Sequence, residues 1–147
     1  MFFHKLISTS FGIGYIGKGA GTAAAVACCI CWYFIQPTYL PAVAATIVIT
    51  LLGIWSSTHV ETIWGSDPQR VVIDEVAGMC ISLLFLPSTI KYVIAALILF
   101  RFFDIVKPLF IKKMENLPGG WGIMFDDVLA GIYANVLLQV VYRYNLL

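Results

Sequence analysis

Apolar residues run through this chain in five stretches, residues 20–35, 40–56, 76–86, 92–106 and 128–142, with most polar residues left to the segments between them. No stretch alternates apolar and polar positions as a half-buried strand does. Backbone groups removed from water must be satisfied within their own segment, so each stretch is predicted to be a helix. The third is the shortest, but Val71, Val72 and Ile73 extend it backwards through Asp74 and Glu75, and the fourth carries Arg101 and Asp104 near its end. Pro37 and Pro41 are expected to bracket one tight turn and Pro87-Ser88 to mark another. No repeat or linker divides the sequence, and 147 residues suit a single domain, 1–147.

Composition gives these helices a solvent. Hydrophobic residues make up 61% of the chain and charged residues 12%, with nine Lys and Arg against eight Asp and Glu. A soluble domain of this size leaves roughly a third of its unfolded surface wet, which so few charges cannot cover. A net charge of +1 with no basic stripe excludes a nucleic-acid partner, and the mean hydropathy of +0.92 excludes disorder. The expected fold is all-α, a small polytopic membrane bundle of four to five membrane-embedded helices. Most stretches fall short of the roughly 20 residues that cross a bilayer, so their flanks must help to span it. The four cysteines lie in apolar runs; Cys28 and Cys31 form a CxxC with no second pair and read as small hydrophobes.

If the N-terminus is cytoplasmic and five helices span, Lys5, Lys18, Arg70, Lys107, Lys112 and Lys113 lie inside, and only Lys91 and Arg143 outside. This topology gathers the polar residues. Gly19 to Thr22 open the first helix, Asp74-Glu75 the third and Asp126-Asp127 the fifth, while Arg101, Asp104 and Lys107 close the fourth. Five of the eight carboxylates thus meet at one level on the cytoplasmic side. Asp126 and Asp127 could serve as helix caps, and Arg101 with Asp104 as an i,i+3 ion pair. Apolar neighbours on both sides place the acids at or below the headgroup level, however, where ionisable groups are costly and usually functional.

Clustered carboxylates beside Arg and Lys suit a hard divalent cation shared with an anion, and Mg²⁺ is often held by one or two carboxylates and a phosphate. Adjacent helical residues point about 100° apart, which favours one ligand and one cap from Asp126 and Asp127. Gly17, Gly19 and Gly21, with Lys18 and Thr22, could cradle a phosphate at a helix start, and Gly119, Gly120 and Gly122 precede another helix. His59 reads as a solvated loop residue beside Glu61 and Arg70, and the tryptophans as packing or interfacial anchors. Glu61, Asp67 and Glu115 fall outside the cluster.

The strings VVIDEVAGM (71–79), FRFFDIVKP (100–108) and GGWGIMFDDVLAG (119–131), with GSDP at 65–68 and Gly21-Thr22, resemble in order and spacing the signature blocks of the phosphatidylglycerophosphatase A family. The resemblance covers essentially the whole chain. It implies an Mg²⁺-dependent enzyme of the bacterial inner membrane, acting on its cytoplasmic side, that removes the terminal phosphate of phosphatidylglycerophosphate to give phosphatidylglycerol. Carried over by position, it implies Asp74, Glu75, Asp104, Lys107 and Asp127 as catalytic. Glu75, Asp104, Asp126 and Asp127 would hold the metal, and Lys18, Gly21, Thr22, Arg101 and Lys107 the substrate. The family's usual proline is replaced by Ala20, and Ala24 and Ala25 follow. A CDP-alcohol phosphatidyltransferase-like enzyme lacks support because its DGxxAR signature is absent. A non-catalytic ion-binding or transport protein would spread polar groups through the bilayer depth.

Overall fold

The computed structural model describes residues 1–147, which form seven α-helices and no strand. These are α1 (Phe2–Ser8), α2 (Ala20–Ile35), α3 (Tyr39–Trp64), α4 (Ile73–Leu83), α5 (Ile90–Val106), α6 (Ile111–Met114) and α7 (Gly120–Arg143), with a 3-10 turn at Ile13–Ile16. The five expected helices are α2, α3, α4, α5 and α7. Their boundaries differ from expectation in instructive ways. Nothing between Ser56 and Gly65 breaks a helix, so α3 continues to Trp64 and takes His59 and Glu61 out of the loop predicted for them. Pro41 stands inside the first turn of α3, where its missing N–H has no helical partner to lose. α1 and α6 lie outside the predicted stretches.

Two helices, α3 and α7, are long and apolar enough to cross a membrane, and α2 is apolar but shorter. The four to five spans expected from the sequence are therefore not all matched by length. With 11 residues α4 rises about 17 Å, well short of a roughly 30 Å hydrocarbon core. It is nonetheless the centre of the bundle, packed against α2, α3, α5 and α7.

α4 and α7 run parallel, and small residues let their backbones meet. A Cβ added at Gly131 would strike the Gly78 carbonyl oxygen, and one at Gly78 would strike the Phe100 ring and lie 2.7 Å from the Asp127 carbonyl oxygen. The same register carries Ser82 alongside Asn135. The Asn135 amide donates to the carbonyls of Ser82 at 3.1 Å and Leu84 at 2.8 Å, and Gln139 donates to Leu84 at 3.1 Å. These bonds satisfy carbonyls that the end of α4 leaves without helical partners.

Beside this seam Phe100, Met79, Leu83 and Leu138 are fully buried, and Met124 fills the notch left by Gly53 on α3. Outside, Phe34, Leu51, Ile98, Ile105 and Val136 stand exposed on four different helices, an apolar surface of the kind that hydrocarbon or a partner covers. Gly131→Val should force α4 and α7 apart and lower stability by about 1–3 kcal/mol, as overpacking does. Ile132→Val, on the exposed face, should change it far less; unfolding in detergent followed by circular dichroism measures both.

Candidate functional site

The bundle end where α2, α4 and α7 begin and α5 finishes opens into a cavity of about 380 Å³. Every candidate residue from the sequence lines it: Lys18, Gly21 and Thr22 from the start of α2, Asp74 and Glu75 from α4, Arg101, Asp104 and Lys107 from the end of α5, and Asp126 and Asp127 from α7. Asp67 and Gln69 line it too, so Asp67 is not outside the cluster as expected.

The acids are held in two ways. Arg101 donates to the Asp104 carboxylate one turn on and lies 3.8 Å from Glu75, tying α5 to α4. Lys107 donates to Asp126 Oδ2 at 2.7 Å and to Glu115 Oε1 at 2.5 Å. Burial alone would lower the Lys107 pKa, but the bonds to Asp126 and Glu115 outweigh it and raise the pKa above the usual lysine value. The side chain stays an ammonium. Its left-handed backbone, φ 51°, ends α5 and turns the chain toward α6. Glu115, predicted to lie apart, is thereby a partner of the site's only lysine with carboxylate contacts.

Asp126 and Asp127 do not open a helix. α7 starts at Gly120, because Gly120 and Gly122 serve close contact rather than a turn: a Cβ on Gly120 would strike the Ile54 carbonyl of α3, and one on Gly122 the Leu117 carbonyl. The Gly120 N–H donates to Thr58 Oγ1 at 2.9 Å, which supplies a cap from α3. The two aspartates therefore stand inside the helix, 7% and 2% exposed, and Asp126 Oδ1 accepts the Asp127 N–H at 2.9 Å.

Their oxygens form two overlapping groups, Asp74 with Asp126 and Asp127, and Glu75 with Asp104 and Asp127, each with its ligand atoms within 4.8 Å of one another. Asp127 belongs to both. Asp74, expected in a catalytic role alone, thus joins the residues able to hold a metal. Buried Asp74 Oδ1, Glu75 Oε2 and Asp127 Oδ2 lack hydrogen-bond partners. An unpaired buried acceptor is costly, and crowded carboxylates repel one another. A hard divalent cation, which takes oxygen ligands, relieves both costs, so the donor set fits Mg²⁺.

The start of α2 completes the rim. Gly17 and Gly19 adopt left-handed φ of 95° and 83°, and Gly21 lies so close to α4 that a Cβ there would strike Glu75 Oε1. Lys18 has no carboxylate partner. His59, read as a solvated loop residue, instead sits in α3, with its Nδ1 2.7 Å from the Trp55 carbonyl and its ring stacked 4.1 Å from that of His4. The short helix α1 brings His4 there.

The model of the phosphatidylglycerophosphatase A family matches residues 6–142. The chain belongs to the phosphatidylglycerophosphatase A family. Among related proteins, it is 48% identical to a candidate phosphatidylinositol-3-phosphatase of Bacteroides thetaiotaomicron, over 95% of this chain and 93% of the relative. It is 35% identical to phosphatidylglycerophosphatase A of Haemophilus influenzae, over 96% and 90%, and 32% identical to that of Escherichia coli, over 92% and 81%. No solved structure matches it. The matched range, residues 6–142, spans every candidate residue lining the cavity.

Gly21→Ala tests the contact between α2 and α4. Helical circular dichroism should be retained while phosphatase turnover falls by about 100-fold, the loss typical of a reacting group displaced by about 1 Å.

Proposed function

We propose that this chain, as a single domain, hydrolyses the terminal phosphate of phosphatidylglycerophosphate, giving phosphatidylglycerol at the cytoplasmic face of a bacterial inner membrane with Mg²⁺ as cofactor. One observation carries the reading: five carboxylates from three helices, with Arg101 and Lys107, surround a single cavity and leave buried oxygens without partners. Glu75, Asp104, Asp126 and Asp127, joined by Asp74, are the residues that would hold the cation. When bound, it supplies Lewis-acid polarisation of phosphate oxygens.

The chain's own groups bind and orient. Arg101 and Lys107, fixed by their carboxylates, offer donors where charge develops on the transferred phosphoryl group, and phosphoryl transfer depends mostly on such positioning and charge stabilisation. Lys18, Gly21 and Thr22 line the same cavity from the start of α2, beside Glu75, to receive the same phosphate; the phosphoryl group passes to water as the headgroup oxygen leaves with a proton. The bilayer holds the acyl chains, so the headgroup cavity need not enclose them. A phosphatidylinositol 3-phosphate substrate is the second reading, favoured by the name of the 48% identical relative. Both lipids carry a phosphate monoester on a headgroup joined through a phosphodiester.

Four to five membrane-embedded helices, with α2 and α5 beside α3 and α7, suit the apolar outer surface. Cysteines introduced at positions 60–70 and 112–118 should label from the same side of the membrane; opposite sides would overturn this topology.

Phosphate release by purified protein in detergent, from phosphatidylglycerophosphate, phosphatidylinositol 3-phosphate, phosphatidic acid and a water-soluble monoester, tests the activity. The first lipid should be the best substrate, and chelation of divalent cations should abolish turnover. Glu75→Gln, Asp104→Asn and Asp127→Asn should each lose several orders of magnitude, on the order of 10³ or more, with no further loss in combination. Glu61→Gln should be mild. Near-normal turnover by Asp104→Asn and Asp127→Asn would reduce these acids to structural ion pairs.

A further inference from the structure

A second cavity, of about 590 Å³, adjoins the acidic one and shares Gly17, Pro68 and Gln69 with it. Its single cation is Arg70. The guanidinium carbon lies 5.7 Å from the Tyr15 ring centre and 5.6 Å from that of Trp64, so two aromatic faces hold it while leaving its N–H groups free. The backbone beneath is equally fixed, since a Cβ on Gly14 would strike the Arg70 carbonyl oxygen. Arg101 and Lys107 already face carboxylates, but Arg70 has none within 4.0 Å. A positioned guanidinium with an unspent charge beside a phosphatase cavity is suited to a second anion.

The path of the chain gives that anion its identity. Ile7, Phe11 and Ile13 wall an apolar cavity of about 440 Å³. Gly14, Tyr15 and Gly17 then wall the Arg70 cavity, and Gly17 to Thr22 the acidic one. Residues 7–22 thus touch all three cavities in turn, while α2 and α4 also lead directly from the acidic cavity to the apolar one, at Ala24 and Val76. A phospholipid with a phosphorylated headgroup has one part for each of these three surfaces: acyl chain, phosphodiester and terminal phosphate monoester.

We propose that Arg70 binds the phosphodiester of the lipid substrate, so that the two phosphates of one headgroup occupy the two adjoining cavities. This rests on the lipid-phosphatase reading above and adds to it a basis for selectivity. Lipids with both phosphates gain the Arg70 contact, whereas phosphatidic acid, whose one phosphate is the monoester, does not.

The test separates binding from turnover. Phosphatidylglycerol carries the diester without the monoester, so the change in its affinity for detergent-solubilised protein on replacing Arg70 reports on the diester contact apart from the acidic cavity. Arg70→Gln should weaken it about tenfold, the order expected for loss of one charge-assisted pair, and Arg70→Lys should recover part of the loss. Inorganic phosphate at equal concentration should compete poorly; full competition would make this a free-phosphate site and overturn the assignment. In turnover, Arg70→Gln should reduce the preference for phosphatidylglycerophosphate over phosphatidic acid by about tenfold, through KM rather than kcat. Equal phosphatidylglycerol affinity in wild type and a folded Arg70→Gln protein would overturn the proposal. So would equal losses on both lipids. Arg70-dependent phosphatidylglycerol binding without phosphate release from any lipid would instead sink the phosphatase reading and leave the diester site standing.

Discussion

The contact of Gly78 with Gly131 sets the spacing on which the rest of the molecule depends. Two parallel helices cannot approach to backbone distance if either carries a side chain at the crossing, and this crossing lies one turn below Asp74 and Asp127. One turn further along, Asn135 fixes the same register through the carbonyls that α4 leaves free. The acidic residues of two helices therefore meet because the helices cannot slide or part without losing contacts on both sides. Phe100 of α5 closes against Gly78 and brings Arg101 and Asp104 to the same level.

This geometry works against electrostatics. Carboxylates crowded into a half-buried cavity repel one another, and burial weakens the water that would screen them. Arg101 and Lys107 offset part of that cost from α5, each facing two acids. Glu115 anchors Lys107 from the loop after α6 while Asp126 holds it from α7. What remains uncompensated, the partnerless oxygens of Asp74, Glu75 and Asp127, is the part of the site suited to a cation.

Much of this could be read before any coordinates. The helices followed from apolar runs, and the acidic centre from the alternation of helix direction across a membrane, which returns every second helix end to one face. The failures have local causes. Gly120 and Gly122 were expected to precede the helix, because sequence does not separate a glycine that bends the chain from one that makes room for a neighbour. That misreading moved the start of α7 and made Asp126 and Asp127 look like caps. Asp67, though inside the GSDP string, and Glu115 were missed because only tertiary packing brings Asp67 to the cavity and Glu115 to Lys107. Arg70 looked like an ordinary loop cation until Tyr15 and Trp64, far apart in sequence, were seen to flank it.

The distinction between the two kinds of glycine reaches beyond boundary assignment. At Gly21, Gly78 and Gly131 the space itself is occupied, so the obstacle to any side chain is volume. At Gly17 and Gly19 nothing stands within 4 Å of the position a Cβ would take, and only the backbone angle is unusual. Gly19 has ψ of 7°, a left-handed conformation that asparagine also adopts, whereas Gly17, with ψ of −134°, lies where almost no other residue goes. Sequence drift in this protein is accordingly open to asparagine at position 19, nearly closed at position 17 by torsion, and closed at positions 78 and 131 by the partner helix, which no change of backbone preference can relieve.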